Sequence, residues 1–168
     1  QQIAMHPKHS VLAISNSQSG ISVWDYRSKN YLLSQTAGLN EVSAVAYNDK
    51  GSVLAVGDSH GSVRLFDTRT FYAIVTFADA VAKVTKISFL KDNTMIVSSL
   101  DGVVRAYDLN KHKLFREMRA HVNNQILALE VEKNGDMIIG SGSDPYDIYL
   151  WSLKTGHLLE VLSNHTAP

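Results

Sequence analysis

The 168 residues contain no cysteine. Disulfides, a thiolate nucleophile and thiolate metal ligands are therefore excluded, and the composition fits a reducing compartment such as cytoplasm or nucleus. No excess of charge is present either: Lys+Arg 16 against Asp+Glu 16 gives a formal net charge of zero. A neutral balance argues against a protein whose whole surface grips nucleic acid, and leaves room for a local basic patch. Long apolar runs are missing, since a membrane helix needs roughly 20 residues and those here are short strand-like pieces. The N-terminus lacks the charged-then-apolar pattern of a secretory signal, so the sequon Asn164-His165-Thr166 reads as chance. No stretch carries an amphipathic helical period. The chain is long enough for one domain with a real core.

What is present is a repeat. Stepping by 42 from Ile3 and Met5 reaches Val45 and Tyr47, then Ile87 and Phe89, then Leu129 and Val131. Val11, Val53, Met95 and Met137 form a second series with the same spacing. Two series holding one period through four copies define a repeat architecture. Each unit reads as four short strands. The first is Val42 to Tyr47, with counterparts at Val84 to Phe89 and Ile126 to Val131. Turn residues such as Asn48-Asp49-Lys50-Gly51 suit tight hairpins. The second strands, Val53 to Val56, Met95 to Val97 and Met137 to Ile139, are apolar on consecutive residues, which predicts burial of both faces. The third ends in an aromatic and a small polar residue: Trp24-Asp25, Phe66-Asp67, Tyr107-Asp108 and Trp151-Ser152. A fourth strand follows, as in Tyr72 to Phe77 and His157 to Leu162. The fold class is all-β, one partial domain over 1–168 with repeats at roughly 1–37, 38–79, 80–121 and 122–168.

This period and the aromatic-Asp ending resemble the WD-repeat family of β-propellers over essentially the whole chain. Asp101 to Asp108 is the nearest copy of the family's third-strand motif, Lys154-Thr155-Gly156 matches its turn into the outer strand, and His121 and His165 stand where the family places a His before the next blade. The resemblance implies a buried hydrogen-bonded set of His, strand Ser/Thr, turn Asp and Trp. Here the sets are degenerate: Ala78 to Lys83 holds no His, and His60 stands where a turn Asp belongs. Blades held more by apolar packing than by polar networks are the expectation.

Several stretches are similar to the periodic-tryptophan branch of the family, found in the nucleolar small-subunit processome. They are Thr76-Phe77, Ser98 to Ala106, Asp108-Leu109 and Gly140 to Val161 with its lengthened hairpin Ser143 to Ile148. That resemblance implies a non-catalytic, protein-binding scaffold for precursor ribosomal RNA processing and small-subunit biogenesis, in the nucleus and nucleolus. The implied partners are other proteins of a large assembly, other WD-repeat subunits among them, with contact to precursor ribosomal RNA or small nucleolar RNA. No membrane, small-molecule substrate, cofactor or metal is implied. Family members carry two propellers and a helical tail, so four repeats would form part of one ring. Gln1 falls mid-repeat and Pro168 where another first strand should start, which would leave open sheet faces at both ends.

The sequence holds few other groupings with potential for chemistry. His6-Pro7-Lys8-His9 has a metal-capable spacing but no carboxylate or Cys beside it, and reads as a solvated turn. Asp58, Ser59 and His60 are neighbours in one hairpin, whereas a hydrolytic triad assembles from separated segments. Gly140-Ser141-Gly142-Ser143 leads to a strand and lacks the Lys-Ser/Thr of a phosphate loop. His112, between Lys111 and Lys113, reads as a basic turn. Trp24, Phe66, Tyr107 and Trp151 could stack bases, but their fixed place in the repeat assigns them to inter-blade core.

Propellers commonly recognise partners through the hairpin between second and third strands and the loop before each first strand. The candidate partner-binding face is therefore Asp58, His60, Arg119, His121, Asn123, Asn124, Asp144, Tyr146 and Asp147, with Tyr146 as the favoured anchor because a rigidly held aromatic contributes area at low entropy cost. A rival reading comes from Trp24-Asp25-Tyr26-Arg27. It resembles the motif by which WD-repeat substrate receptors dock to cullin ubiquitin ligases, and Phe66-Asp67-Thr68-Arg69 echoes it. The alternative adaptor-docking set is Asp25, Arg27, Asp67 and Arg69.

Overall fold

The computed structural model describes residues 2–16, 20–36, 38, 40–120, 124–132 and 134–163. They form four antiparallel sheets of four strands, each sheet in sequence order. The strands are β1 (Ile3–Met5), β2 (Val11–Ser15), β3 (Gly20–Asp25) and β4 (Asn30–Thr36); β5 (Val42–Tyr47), β6 (Val53–Asp58), β7 (Val63–Asp67) and β8 (Ala73–Phe77). They continue with β9 (Val84–Leu90), β10 (Thr94–Ser99), β11 (Val103–Asp108) and β12 (Lys113–Arg119); β13 (Ile126–Val131), β14 (Met137–Gly142), β15 (Ile148–Ser152) and β16 (Leu158–Leu162). Among the described residues the helical content is one 3-10 turn, Lys91–Asn93, and no helix is long and apolar enough to cross a membrane. This is the all-β, WD-type propeller architecture that the repeat implies, with the strands where the period puts them.

The chain divides into two compact units, residues 1–87 and 88–168. In the first, Ala13, Ile21 and Val23 of the β1–β4 sheet pack with Val42, Leu54, Val56 and Phe66 of the β5–β8 sheet. In the second, Ile96, Val104, Ala106 and Met118 pack with Ile126, Ile138, Tyr149 and Trp151. Leu54-Ala55-Val56 is buried at all three positions, as a run apolar on both faces requires.

Two devices recur in every repeat. The first is a register shift in the pairing of third and fourth strands, always just before the aromatic: Val23/Trp24, Leu65/Phe66, Ala106/Tyr107 and Leu150/Trp151. A bulge bends the strand and re-aims the next side chain. The second is the turn that follows. Asp67 Oδ1 accepts the backbone N–H groups of Arg69 and Thr70 at 2.9 Å each, and Asp25 does the same for Arg27 and Ser28. Asp108 serves Asn110 and Lys111, while Ser152 Oγ takes the N–H of Thr155. The turn then closes through a left-handed residue: Lys29, Phe71, His112 or Gly156. The Asp of each ending is thus an acceptor that local turn geometry requires.

One aromatic departs from expectation. Phe66, Tyr107 and Trp151 are buried, but Trp24 is 37% exposed. Met5, Leu12, Trp24 and Tyr31 are successive cross-strand partners and share one sheet face. Trp24 packs edge-on against Tyr31 at 5.0 Å between ring centroids, and Met5 beside it is exposed as well. Period fixes which face a residue takes; what covers that face is a separate matter. Trp24→Ala is expected to lower stability by about 1 kcal/mol or less, read as a small shift in the urea midpoint.

The polar sets are present but built from other residues than the family pattern suggests. In the third sheet, Arg105 is 4% exposed. It forms an ion pair with Asp101 at 2.9 Å and another with Glu117 at 3.2 Å, while Ser99 Oγ bonds Asp101. A guanidinium supplies the donors that the missing His would have given. Polar bonding therefore contributes more here than the degenerate motif implies.

Candidate interaction site

In the second unit the long hairpin between β14 and β15 is organised by one side chain. Asn124 is 2% exposed. Its Oδ1 accepts Ser143 N at 2.9 Å, Ser143 Oγ at 3.2 Å and Asp144 N at 3.1 Å. Its Nδ2 donates to Pro145 O at 2.7 Å and Tyr149 OH at 3.0 Å. The amide orientation is fixed by its partners, because a backbone N–H can only donate and a carbonyl only accept. Gly142 admits this amide: a Cβ there would lie 2.0 Å from Asn124 Nδ2. The hairpin then presents Asp144 exposed, with Tyr146 and Asp147 half-buried. Arg119 extends its guanidinium to Glu117 at 3.0 Å, and its carbonyl accepts Trp151 Nε1 at 3.1 Å. His121 and Asn123 lie outside the described residues, as does His165.

In the first unit Asp58 is fully buried. Its carboxylate accepts His60 N and Ser62 N and both the backbone N and Nδ2 of Asn40. His60 stands where a turn Asp belongs, and Asp58, two residues earlier, supplies that acceptor. His60 is exposed at the hairpin tip, with Ser59 Oγ 3.1 Å from its Nδ1. Asp58 bonds the backbone of His60 rather than its ring, so the three neighbours do not form a relay. Asp58 and Asn124 are thus interior supports of their loops, while His60, Arg119 and Asp144 reach solvent.

The adaptor-docking set falls at the opposite ends of these strands. Asp25 and Asp67 have their carboxyls held below the usual carboxylate range, chiefly by backbone hydrogen bonds from Arg27 and Thr70 respectively. Arg27 and Arg69 are exposed and stand on either side of the β1–β2 turn. Arg27 lines a cavity of about 420 Å³ with Lys8, His9 and Tyr26. Arg69 lines one of about 440 Å³ with His6, His9, Lys50, Tyr47 and Phe71.

His6 is not the solvated turn residue that its sequence suggests. Its Nε2 lies 3.0 Å from Gly51 O, so that nitrogen carries the proton. Nδ1 accepts Lys8 N and His9 N at 3.1 Å each. The neutral ring therefore ties the β1–β2 turn to the β5–β6 turn, packing on Tyr47 at 5.1 Å. Burial lowers its pKa below the ordinary 6.5, against a raising contribution from the Gly51 bond. The folded protein then binds fewer protons here than the unfolded chain, so this contribution is complete above about 6.5 and is lost as pH falls through the lower folded value. His6→Gln, which keeps a donor without titrating, is expected to flatten the fall of the urea midpoint between neutral and acidic pH. An unchanged slope would remove His6 from that dependence. The cavity beside it escaped sequence reading because it joins turns from two repeats. The sequence signal is a His–Pro–Lys–His turn preceding an Asp-x-Arg ending.

The chain matches the family described as Nucleolar protein 10-like, N-terminal domain, over residues 1–149. The periodic tryptophan protein 2 homolog of Caenorhabditis elegans is 35% identical over 150 residues, covering 89% of this chain and 16% of that protein. The Arabidopsis thaliana periodic tryptophan protein 2 is 32% identical over 147 residues, covering 87% of this chain and 16% of its own length. The Dictyostelium discoideum homolog is 32% identical over 161 residues, 94% of this chain and 18% of that protein. The chain thus spans under a fifth of the length of these relatives.

Proposed function

Because this chain belongs to the nucleolar protein 10-like N-terminal propeller family, we propose that it is part of a non-catalytic scaffold for ribosome biogenesis, acting in the nucleolar small-subunit processome. The relatives named above support that reading through sequence likeness over most of this chain. Its site is the loop face, and the observation that carries it is the hairpin locked by Asn124. A loop ordered before binding loses little entropy when a partner docks. Asp144, Tyr146 and Asp147 then supply polar and aromatic contacts, with Arg119 at the end of β12 in the same unit; His60 is a separate candidate on the first unit. The partners are other subunits of the assembly, other WD-repeat proteins among them, with contact to precursor ribosomal RNA or small nucleolar RNA.

Docking to a cullin ligase adaptor through Asp25, Arg27, Asp67 and Arg69 has less support. Turn geometry accounts for the Asp in three of the four endings, so the recurrence needs no adaptor to explain it. Affinity purification of the full-length protein, with co-purifying RNA and proteins identified together, tests both. Precursor ribosomal RNA with other processome subunits is the expected result. Cullin adaptors without that RNA would overturn it, and Arg27 and Arg69 would become the working site.

A further inference from the structure

The cavity beside His6 plays no part in the loop-face reading. Val11, Val23, Leu32 and Phe71 make an apolar wall, and Lys50, Arg69 and His9 stand at its mouth. No Asp or Glu lines it among the described residues. Asp67, next to Arg69, already receives three hydrogen bonds at Oδ1. On the far side of the same turn, Lys8 and Arg27 extend the cationic border.

Two local features beside this cavity are unfavourable. The Tyr47 hydroxyl is buried and has no hydrogen-bond partner among the described residues, which is uncommon for a buried polar atom. Burial pushes it up to about 12, so it stays a donor. Phe71 sits at φ 56, a left-handed conformation that a bulky residue rarely adopts. The other repeats place Lys29, His112 and Gly156 at that turn position. Strain retained at a cavity wall is the kind of outlier that accompanies binding sites.

We infer that this cavity is a peptide-docking site taking an aliphatic or aromatic side chain flanked by acidic residues. The side chain packs against Phe71 and the aliphatic wall, and Lys50 and Arg69 pair with the flanking carboxylates. The volume lies in the range of sites that enclose small groups, with apolar lining and few polar contacts. A single-stranded nucleic acid would need cations tracking its backbone and aromatic platforms for successive bases. Here the full charges gather at one mouth and the wall is largely aliphatic. The inference stands apart from the processome reading and survives its failure.

Fluorescence anisotropy on the full chain tests it, using labelled Glu-Asp-Phe-Glu-Asp, the same peptide with Ser for Phe, a Lys-Lys-Phe-Lys-Lys counterpart and oligouridylate. The acidic Phe peptide should bind best, and the Ser peptide about ten-fold or more weaker. Lys50→Glu with Arg69→Glu, both at exposed positions, should cost about ten-fold at low salt and less at high salt. Phe71→Asn removes the wall at a position where Asn tolerates a left-handed backbone; because Phe71 also packs on the first unit's core, binding is compared at a temperature where the variant is fully folded, and it should fall there. Equal binding of the Phe and Ser peptides, preference for oligouridylate, or no measurable binding of the acidic Phe peptide would each overturn the inference.

Discussion

Trp151→Ala is expected to destabilise the protein by about 3–5 kcal/mol, the range for emptying a large aromatic from a packed core. Trp151 is fully buried, stacks on Tyr149 at 5.6 Å and donates Nε1–H to Arg119 O at 3.1 Å. The substitution removes the dispersion contacts and the hydrogen bond to that carbonyl. Relaxation is limited, because Gly140 approaches the ring so closely that a Cβ there would lie 2.9 Å from it. Amide exchange should rise across residues 88–168, whose core Trp151 anchors. A loss no larger than the roughly 1 kcal/mol expected at Trp24 would mean the ring is not packed as described. The contrast between the two tryptophans is the sharper test, since one motif places them both.

That contrast marks what the amino-acid order makes legible. Spacing exposed the four repeats because strand length and turn length are set by local hydrogen bonding, and an apolar residue on the wrong face would break the register. First and second strands therefore fell where expected. The bulge before each aromatic was hidden, because one unpaired residue leaves no mark on apolar periodicity. Turn acids were visible, but their work was not: Asp58 looks like a surface acid and is an interior acceptor. Asn124 likewise reads as a residue of an exposed face and is buried beneath it. Side chains that bond the backbone of an adjacent loop share their residue types with side chains that face water. Arg105 and His6 illustrate the non-local part. Arg105 draws on a carboxylate from the neighbouring strand, and His6 on a carbonyl from the next repeat. Neither pairing can be read from a window of local sequence.

Asn124→Ala tests whether the loop face depends on a preordered hairpin. The change strips partners from Ser143 N, Asp144 N, Pro145 O and the Tyr149 hydroxyl. Unsatisfied buried groups cost about 1–3 kcal/mol each, but hairpin backbone near solvent can recover some bonds from water. The net loss should then be about 2–4 kcal/mol. Asn124→Asp separates fold from function more cleanly. A carboxylate still accepts from Ser143 and Asp144 and can accept a hydrogen bond from the Tyr149 hydroxyl, but it cannot donate to Pro145 O. Stability should fall less than in the alanine variant, while the segment around Tyr146 loosens. If partners recognise the rigid hairpin, the Asp variant should retain its melting temperature better than its co-purifying proteins, and Asp144→Ala should weaken capture without unfolding. Capture that tracks melting temperature alone across the three variants would instead make this hairpin a structural support and move the binding surface elsewhere.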